Sequence, residues 1–165
     1  MITRLPASSD GSGGGLPPDT DRAAWERRQD TLPVDFHGDV VEPHEVRGVE
    51  RLLANGERIE WIPREPSTPT NDFVWHSMGG IVAELKSPAR PDYLASRRLI
   101  TDAVVKAKRH DRAKQNFVVD IGDHLLDDEL RVKFEGYNID RSRNQISRLW
   151  VLHRGGLEEI WLRNT

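Results

Sequence analysis

Two segments near the middle of the chain carry the residue types that phosphodiester chemistry requires. The sequence reads NDFVW at 71–75 and IVAELK at 81–86, with a Met-Gly-Gly turn signal at 78–80. An antiparallel hairpin over these residues brings Asp72 to the same end as Glu84 and Lys86. Two carboxylates beside a lysine suit metal-assisted hydrolysis of a phosphodiester bond, so we predict a catalytic site there.

The second segment alternates between the two faces of a strand. Apolar residues at positions 81, 83 and 85 occupy one face, so Glu84 and Lys86 project together from the other. A slip of one residue in the pairing would turn Asp72 to the wrong face. Because both side chains lie on a polar face, we expect that Glu84→Gln or Lys86→Ala costs little stability.

Asp72 and Glu84 supply oxygen donors of the kind that hard divalent cations prefer. The predicted cofactor is Mg²⁺ or Mn²⁺, with Zn²⁺ as a further candidate, since such an ion lowers the pKa of bound water and screens charge on the phosphate. Lys86 adds a positive charge that orients the attacking water or stabilises the pentavalent phosphorus. The alternative is a solvated Glu-x-Lys ion pair, which many surface strands carry.

The composition restricts the class of protein. The 165 residues include no cysteine, which excludes disulfides and a thiolate metal site, and the net charge of −3 confines any nucleic-acid surface to a local patch. No stretch approaches the roughly 20 apolar residues of a membrane span, and the start of the chain lacks a signal-peptide pattern. We therefore expect a soluble protein.

The chain is expected to divide into a tail and one domain. Residues 1–38 are rich in glycine, proline and serine, which predicts a flexible linker or tail with a short helix around 23–28. Residues 39–165 have the length of a single domain. A linker in this place is typical of a domain that hangs from a larger protein.

From residue 42 onward the patterns predict an α/β fold. Helices are expected from Pro43 to a stop at Asn55-Gly56, at 92–112 and around 130–137. Strands are expected at 58–62, 71–75, 81–86, 116–121, 146–153 and 157–163. The order is an αβββαβ core followed by a C-terminal α-ββ extension. In the first helix, Glu45 borders the apolar stripe, either as a partner of the helix dipole or as a polar group aimed into a site.

The predicted helix at 92–112 is strongly basic. Between positions 90 and 114 there are eight basic residues against three acidic ones, a local surplus that contrasts with the negative charge of the whole chain. Such a run most often forms a solvated polar face. The functional alternative is a phosphate-binding surface, for which Arg98, Lys106 and Arg109 are the candidate residues.

This ordered combination of motifs resembles the PD-(D/E)xK nuclease superfamily. With His44-Glu45 on the first helix and Glu84-Leu85-Lys86-Ser87-Pro88 on the third strand, residues 40–163 look more narrowly like the C-terminal toxin domains of contact-dependent growth inhibition (CdiA) proteins. The resemblance implies a restriction-endonuclease-like core in which Asp72 and Glu84 bind metal, Lys86 is catalytic and Glu45 completes the acidic cluster. The superfamily's usual proline before the Asp is replaced by Asn71.

The resemblance also implies a function and partners. It predicts a nuclease toxin that hydrolyses RNA, with tRNA favoured over DNA, and that a dedicated immunity protein inhibits. Such a toxin is secreted as part of a larger protein and acts in the cytoplasm of the target cell.

Two other functions remain compatible with these residues. One is a catalytically silent module that binds nucleic acid or protein on the same scaffold. The other is a metal-independent ribonuclease with histidine acid–base chemistry, for which His44, His76 and His153 are candidates. Among the remaining residues, His110 is expected on the polar surface, and the core is expected to contain Trp61, Trp75, Trp150 and Trp161.

Overall fold

A six-stranded mixed sheet forms the centre of the protein in this computed structural model, which describes residues 15–164. The helices of the described part are α1 (Arg22–Asp30), α2 (Pro43–Ala54), α3 (Tyr93–Arg109), α4 (Asp128–Glu135) and α5 (Tyr137–Asp140). The strands are β1 (Ile59–Trp61), β2 (Phe73–Trp75), β3 (Ile81–Lys86), β4 (Asn116–Asp120), β5 (Arg148–His153) and β6 (Gly156–Ile160). The predicted α/β class and the αβββαβ core with its α-ββ extension are confirmed.

The strands lie in the sheet in the same order as in the chain. The pairs β1–β2, β2–β3 and β5–β6 are antiparallel, whereas β3–β4 and β4–β5 are parallel. Parallel neighbours need a crossover connection, which α3 provides for the first pair and α4 with α5 for the second. Helices therefore cover strand β4. Its Phe117, Val118 and Val119 have no exposed surface.

Helix α2 covers one face of the sheet with an apolar stripe. Val46, Val49 and Leu52 recur at helical spacing and are fully buried. Gly48 lies on the same side of the helix, and a Cβ atom there would come within 2.5 Å of Leu85 Cδ2. Because Gly48 has no side chain, α2 can pack closely on β3. The start of the helix thereby lies near the end of that strand.

Helices α3 and α4 cover the opposite face. Ile100 and Val104 of α3 form a second apolar cluster with Phe117 and Val119 of β4. Glu84 is the register partner of Phe117, and partners in adjacent strands share a face. The polar face of β3 is therefore the face that α3 covers.

Part of the segment predicted to be a flexible linker is packed against the domain. Trp25 of α1 and Phe36 are 2% and 6% exposed and belong to the apolar cluster beneath α2. Arg28 forms a bidentate ion pair with Glu50 of α2. The folded domain therefore includes α1, because the side chain of Trp25 packs this otherwise polar helix against the core. The glycine- and serine-rich stretch at 1–14 lies outside the described residues.

The C-terminal elements differ from the prediction in two details. The helix expected through Tyr137 is divided at Gly136 into α4 and α5, and the last strand ends at Ile160. The prediction that Trp161 is buried was wrong. Trp161 comes directly after the last residue of β6, and its side chain is 86% exposed. Among the described residues, none of the helices has the length and apolar character needed to cross a membrane.

Candidate active site

The β2–β3 hairpin brings Asp72 next to the end of β3 that carries Glu84. Phe73 pairs with Ala83 in the ladder, and the backbone N–H of Asp72, the residue before β2, donates to the carbonyl of the same Ala83 at 3.0 Å, one residue off the register of the strands. The turn contains Gly79 and Gly80 at φ of 80° and 78°, a conformation in which other residues are strained. The carboxylates of Asp72 and Glu84 line the same cleft and interact electrostatically, so they lie on the same side of the sheet.

These carboxylates line an open cleft of about 510 Å³ between the proline-rich loop after β1, strand β3 and helix α3. Four acidic and four basic side chains line it, so the cleft has no large net charge. The acidic ones are Glu45, Glu65, Asp72 and Glu84, and the basic ones are Arg64, Lys86, Lys106 and Lys114. All four residues predicted to be catalytic therefore lie in one cleft, while their catalytic role stays a prediction.

Glu84 is the most buried acidic group of the cleft, with 2% of its surface exposed. Its Oε1 accepts hydrogen bonds from Lys86 Nζ and Lys114 Nζ, each at 2.7 Å. Its Oε2 is buried and has no hydrogen-bond partner among the described residues. Buried polar atoms without partners are rare, and a carboxylate oxygen of this kind is well placed to bind a cation.

The alternative of a solvated Glu-x-Lys ion pair does not fit Glu84, because its side chain is buried. Helix α3 covers this face of β3, so the carboxylate is held inside the protein by two ammonium groups. Removing its charge leaves both lysines without their partner, which makes the expected cost in stability larger than the sequence alone suggested.

Asp72 is held at the cleft by the backbone of β3. Its Oδ2 accepts the N–H of Leu85 at 2.8 Å, and the side chain remains partly exposed to the cleft. Burial and the nearby Glu84 carboxylate raise the pKa of Asp72 to about 7, although Lys86 opposes this shift. The rise agrees with the expectation that crowded carboxylates repel each other when no cation separates them.

Lys86 is a permanent cation in this setting. Burial disfavours its charged form, but the carboxylates of Glu84, Asp72 and Glu45 outweigh that effect and raise the pKa of Lys86 above its usual value. At neutral pH its ammonium group therefore keeps its proton. Lys86 can stabilise negative charge on a phosphate but cannot serve as a general base.

Glu45 combines the two roles that the sequence left open. Its Oε2 accepts the backbone N–H of Glu42 at 2.7 Å, which completes a capping box at the start of α2. Its Oε1 forms an ion pair with Arg64, which reaches over from the loop after β1. Glu45 thus lines the cleft while both of its oxygens have partners.

The donor set fits one hard cation with few protein ligands. Within residues 15–164, His, Asp and Glu side chains form no group of three or more that could hold a metal ion. Asp72 and Glu84 supply two carboxylates. Mg²⁺ is commonly bound by one or two carboxylates together with water and substrate phosphates. The unpartnered Oε2 of Glu84 is the observation that favours such an ion.

No protein-family model matches the chain, and no curated protein matches it in sequence. The structure is similar to a chain of the CdiA-CT/CdiI toxin and immunity complex from Burkholderia pseudomallei, with a TM-score of 0.48. This match has 17% sequence identity and covers 71% of this chain and 81% of that chain. A fold by itself does not determine an activity, so we base the proposed function on the residues of the cleft.

The three predicted phosphate-binding residues of α3 do not all lie at the cleft. Lys106 lines the cleft, whereas Arg98 and Arg109 are exposed outside its lining. Arg98 lies eight residues before Lys106, about 12 Å along the helix axis, and faces Asp102 at 3.9 Å. Only one of the three is therefore placed next to the carboxylates.

Two cleft residues were missed by sequence reasoning. Lys114 and Arg64 each bind a cleft carboxylate. His110 is exposed, as expected, and also lines the open cleft at the end of α3. Lys114 comes just before β4, so a basic residue entering the strand next to the Glu-x-Lys strand was the available signal. The strand register that brings Lys114 to Glu84 cannot be predicted from the local sequence pattern.

The histidines proposed for a metal-independent mechanism do not meet at this cleft. His76 binds Glu60 at 2.8 Å on the exposed side of β1, and His44 lines a separate cleft with Arg47. The ring of His153 accepts the N–H of Leu126 at 3.2 Å and is buried. None of the three lines the cleft of Asp72 and Glu84, so the structure gives this alternative no support.

Proposed function

We propose that this protein is a metal-dependent nuclease toxin domain that hydrolyses phosphodiester bonds, with RNA, and tRNA in particular, favoured over DNA. The observation that carries the nuclease proposal is the buried, unpartnered oxygen of Glu84 in an open cleft with Asp72 and Lys86. The toxin assignment, the PD-(D/E)xK membership, the preference for tRNA and a cognate immunity protein rest on the sequence resemblance. On the same basis we propose delivery within a larger protein and action in the target-cell cytoplasm.

Each residue of the cleft has a separate part in this proposal. Asp72 and Glu84 hold Mg²⁺ or another divalent cation, which when bound lowers the pKa of a water ligand and screens the phosphate charge. Lys86, protonated at neutral pH, stabilises the negative charge that develops on the phosphate. Glu45 keeps Arg64 in place at the rim, and Lys106 lies where the nucleic-acid backbone enters the cleft.

Purified protein incubated with total tRNA and with plasmid DNA, each with Mg²⁺ or with EDTA, tests the proposal. Cleavage of tRNA that requires Mg²⁺ is the expected result. Cleavage of plasmid alone would correct the substrate class, and cleavage in EDTA would contradict the metal dependence.

A catalytically silent binding module is the second candidate. It is favoured by one observation: the charge of Glu84 is already balanced by Lys86 and Lys114 without a metal. Such a module would bind RNA with the same affinity in EDTA and in Mg²⁺, and it would leave the RNA intact. Filter binding in both buffers, run beside the cleavage assay, separates the two functions.

The basic residues of α3 are expected to contact phosphates. Changing Lys106 and Arg109 to Met should weaken RNA binding and reduce the slope of log K against log[salt] by about 0.7 for each phosphate of a single strand that the protein no longer neutralises. Arg98→Met tests whether the contact surface continues along the helix. Fluorescence anisotropy at several salt concentrations measures the slopes, and an unchanged slope in the double variant would assign this face to solvent.

A further inference from the structure

We propose that Lys114 is a positioning residue, which anchors one oxygen of Glu84 so that the other oxygen stays free as a ligand. The proposal deepens the proposed function and rests on it. Lys114 lies 28 positions after Lys86 in the chain and is not part of the Glu-x-Lys motif. Its place in the site follows from four observations on the described residues.

The first two observations concern how Glu84 is held. Lys86 and Lys114 both donate to Oε1 at 2.7 Å, so neither donates to Oε2. A carboxylate held by one cation can rotate about its last bond and exchange its oxygens. Two cations on the same oxygen oppose that rotation, and Oε2 is left buried without a partner.

The third observation is the burial of Lys114 itself. Its side chain is 10% exposed, compared with 24% for Lys86, so Lys114 is the more enclosed of the two anchors. Burying an ammonium group is unfavourable unless it is paired, and Glu84 is the partner that Lys114 has. An ordinary solvated lysine of a basic helix would not be held in this way.

The fourth observation is the turn that delivers Lys114 to the cleft. Helix α3 ends in a Schellman motif, in which Arg112 N–H donates to Ala107 O at 2.9 Å and Asp111 N–H to Lys108 O at 3.1 Å. Asp111 takes a left-handed conformation with φ of 54°. The chain is thereby reversed after the helix, and Lys114 is placed beside β3 before β4 begins.

Mn²⁺ binding to the full chain, measured by isothermal titration calorimetry, tests this role without substrate. Lys114→Met is expected to weaken Mn²⁺ binding by about 10–100-fold, the range seen when a hydrogen-bond partner of a metal ligand is removed. Lys106→Met is the matched control, because it removes the same charge from the same cleft without a contact to Glu84. Its Mn²⁺ affinity should be unchanged or slightly higher, and Lys114→Arg should restore part of the affinity.

The direction of the change decides the proposal. Loss of a cation without loss of positioning strengthens cation binding, so equal or tighter Mn²⁺ binding by Lys114→Met would overturn it. Thermal unfolding of the same samples checks the fold, and Lys114→Gln, expected to weaken binding as well, replaces the Met variant if that variant does not fold.

A wild-type protein that binds no Mn²⁺ would contradict the metal dependence of the proposed function. Crystal structures of the metal-free wild type and the Lys114→Met or Lys114→Gln variant then decide the role of Lys114 separately. A rotated Glu84 carboxylate in the variant supports positioning, and an unchanged carboxylate with a free Oε2 overturns it.

Discussion

Glu84→Gln is expected to slow nucleic-acid hydrolysis by about a hundredfold or more, which corresponds to about 3 kcal/mol of lost transition-state stabilisation. The substitution keeps the size and the hydrogen-bonding oxygen of the side chain but removes the charge that holds a cation. It should also destabilise the protein by about 2 kcal/mol, because Lys86 and Lys114 lose their partner. This is less than the 3–5 kcal/mol typical of broken buried pairs, since Lys86 keeps 24% of its side chain exposed.

Glu60→Gln is the matched control for this variant. Glu60 belongs to the same sheet, but its side chain is 59% exposed and it binds His76 away from the cleft. Its loss should leave both activity and stability nearly unchanged. Cleavage kinetics and urea unfolding on both proteins measure the two effects, and a folded Glu84→Gln protein with full activity would exclude the proposed nuclease site.

Asp72→Asn is expected to stabilise the metal-free protein at pH 8 while abolishing its activity. The pKa of Asp72 is raised from 3.8 to about 7 in the folded protein, so folding disfavours its ionised form. The stability contributed by the protonated carboxyl is therefore complete below about pH 4 and lost as pH rises through 7. The full shift corresponds to about 4 kcal/mol, and solvent reaching this partly exposed side chain reduces the expected gain to about 3 kcal/mol.

Urea unfolding of both proteins in EDTA between pH 4 and pH 8 measures this difference. The gain should be close to zero at pH 4 and increase towards pH 8, and addition of Mn²⁺ should reverse it, because only the wild type keeps both ligands. Asp102→Asn serves as a control, since Asp102 is 70% exposed on α3. A difference that does not change with pH would mean that Asp72 and Glu84 do not interact as neighbours.

Much of the fold follows from local pattern. The 3.6-residue period and Pro43 predicted α2, and the alternation over 81–86 predicted β3 with Glu84 and Lys86 on one face. The glycines of the turn predicted the hairpin, and Asp72 was expected across from a position within a residue or two of Lys86; the structure places Asp72, Glu84 and Lys86 in one cleft. These features depend on neighbours in the chain, whose spacing is visible in the sequence.

Burial was decided by the tertiary structure. Trp161 was expected in the core and is exposed, whereas Trp25 was assigned to a linker and is buried. Trp25 lies in a short helix and Trp161 follows a strand, and the residues next to each do not indicate whether it is covered. Whether another element packs over it depends on where distant segments dock, and neither local propensity nor periodicity records that.

The sequence by itself determined which residue types could form the site: Asp72, Glu84 and Lys86, joined by one hairpin, with Glu45 at the start of the first predicted helix. Only the tertiary structure decided how that site is held. The parallel crossover through α3 covers Glu84 and brings Lys114 to its Oε1. Contacts of this kind join segments far apart in the chain, so their partners are set by the packing of helices on the sheet and not by the spacing of residues within a segment.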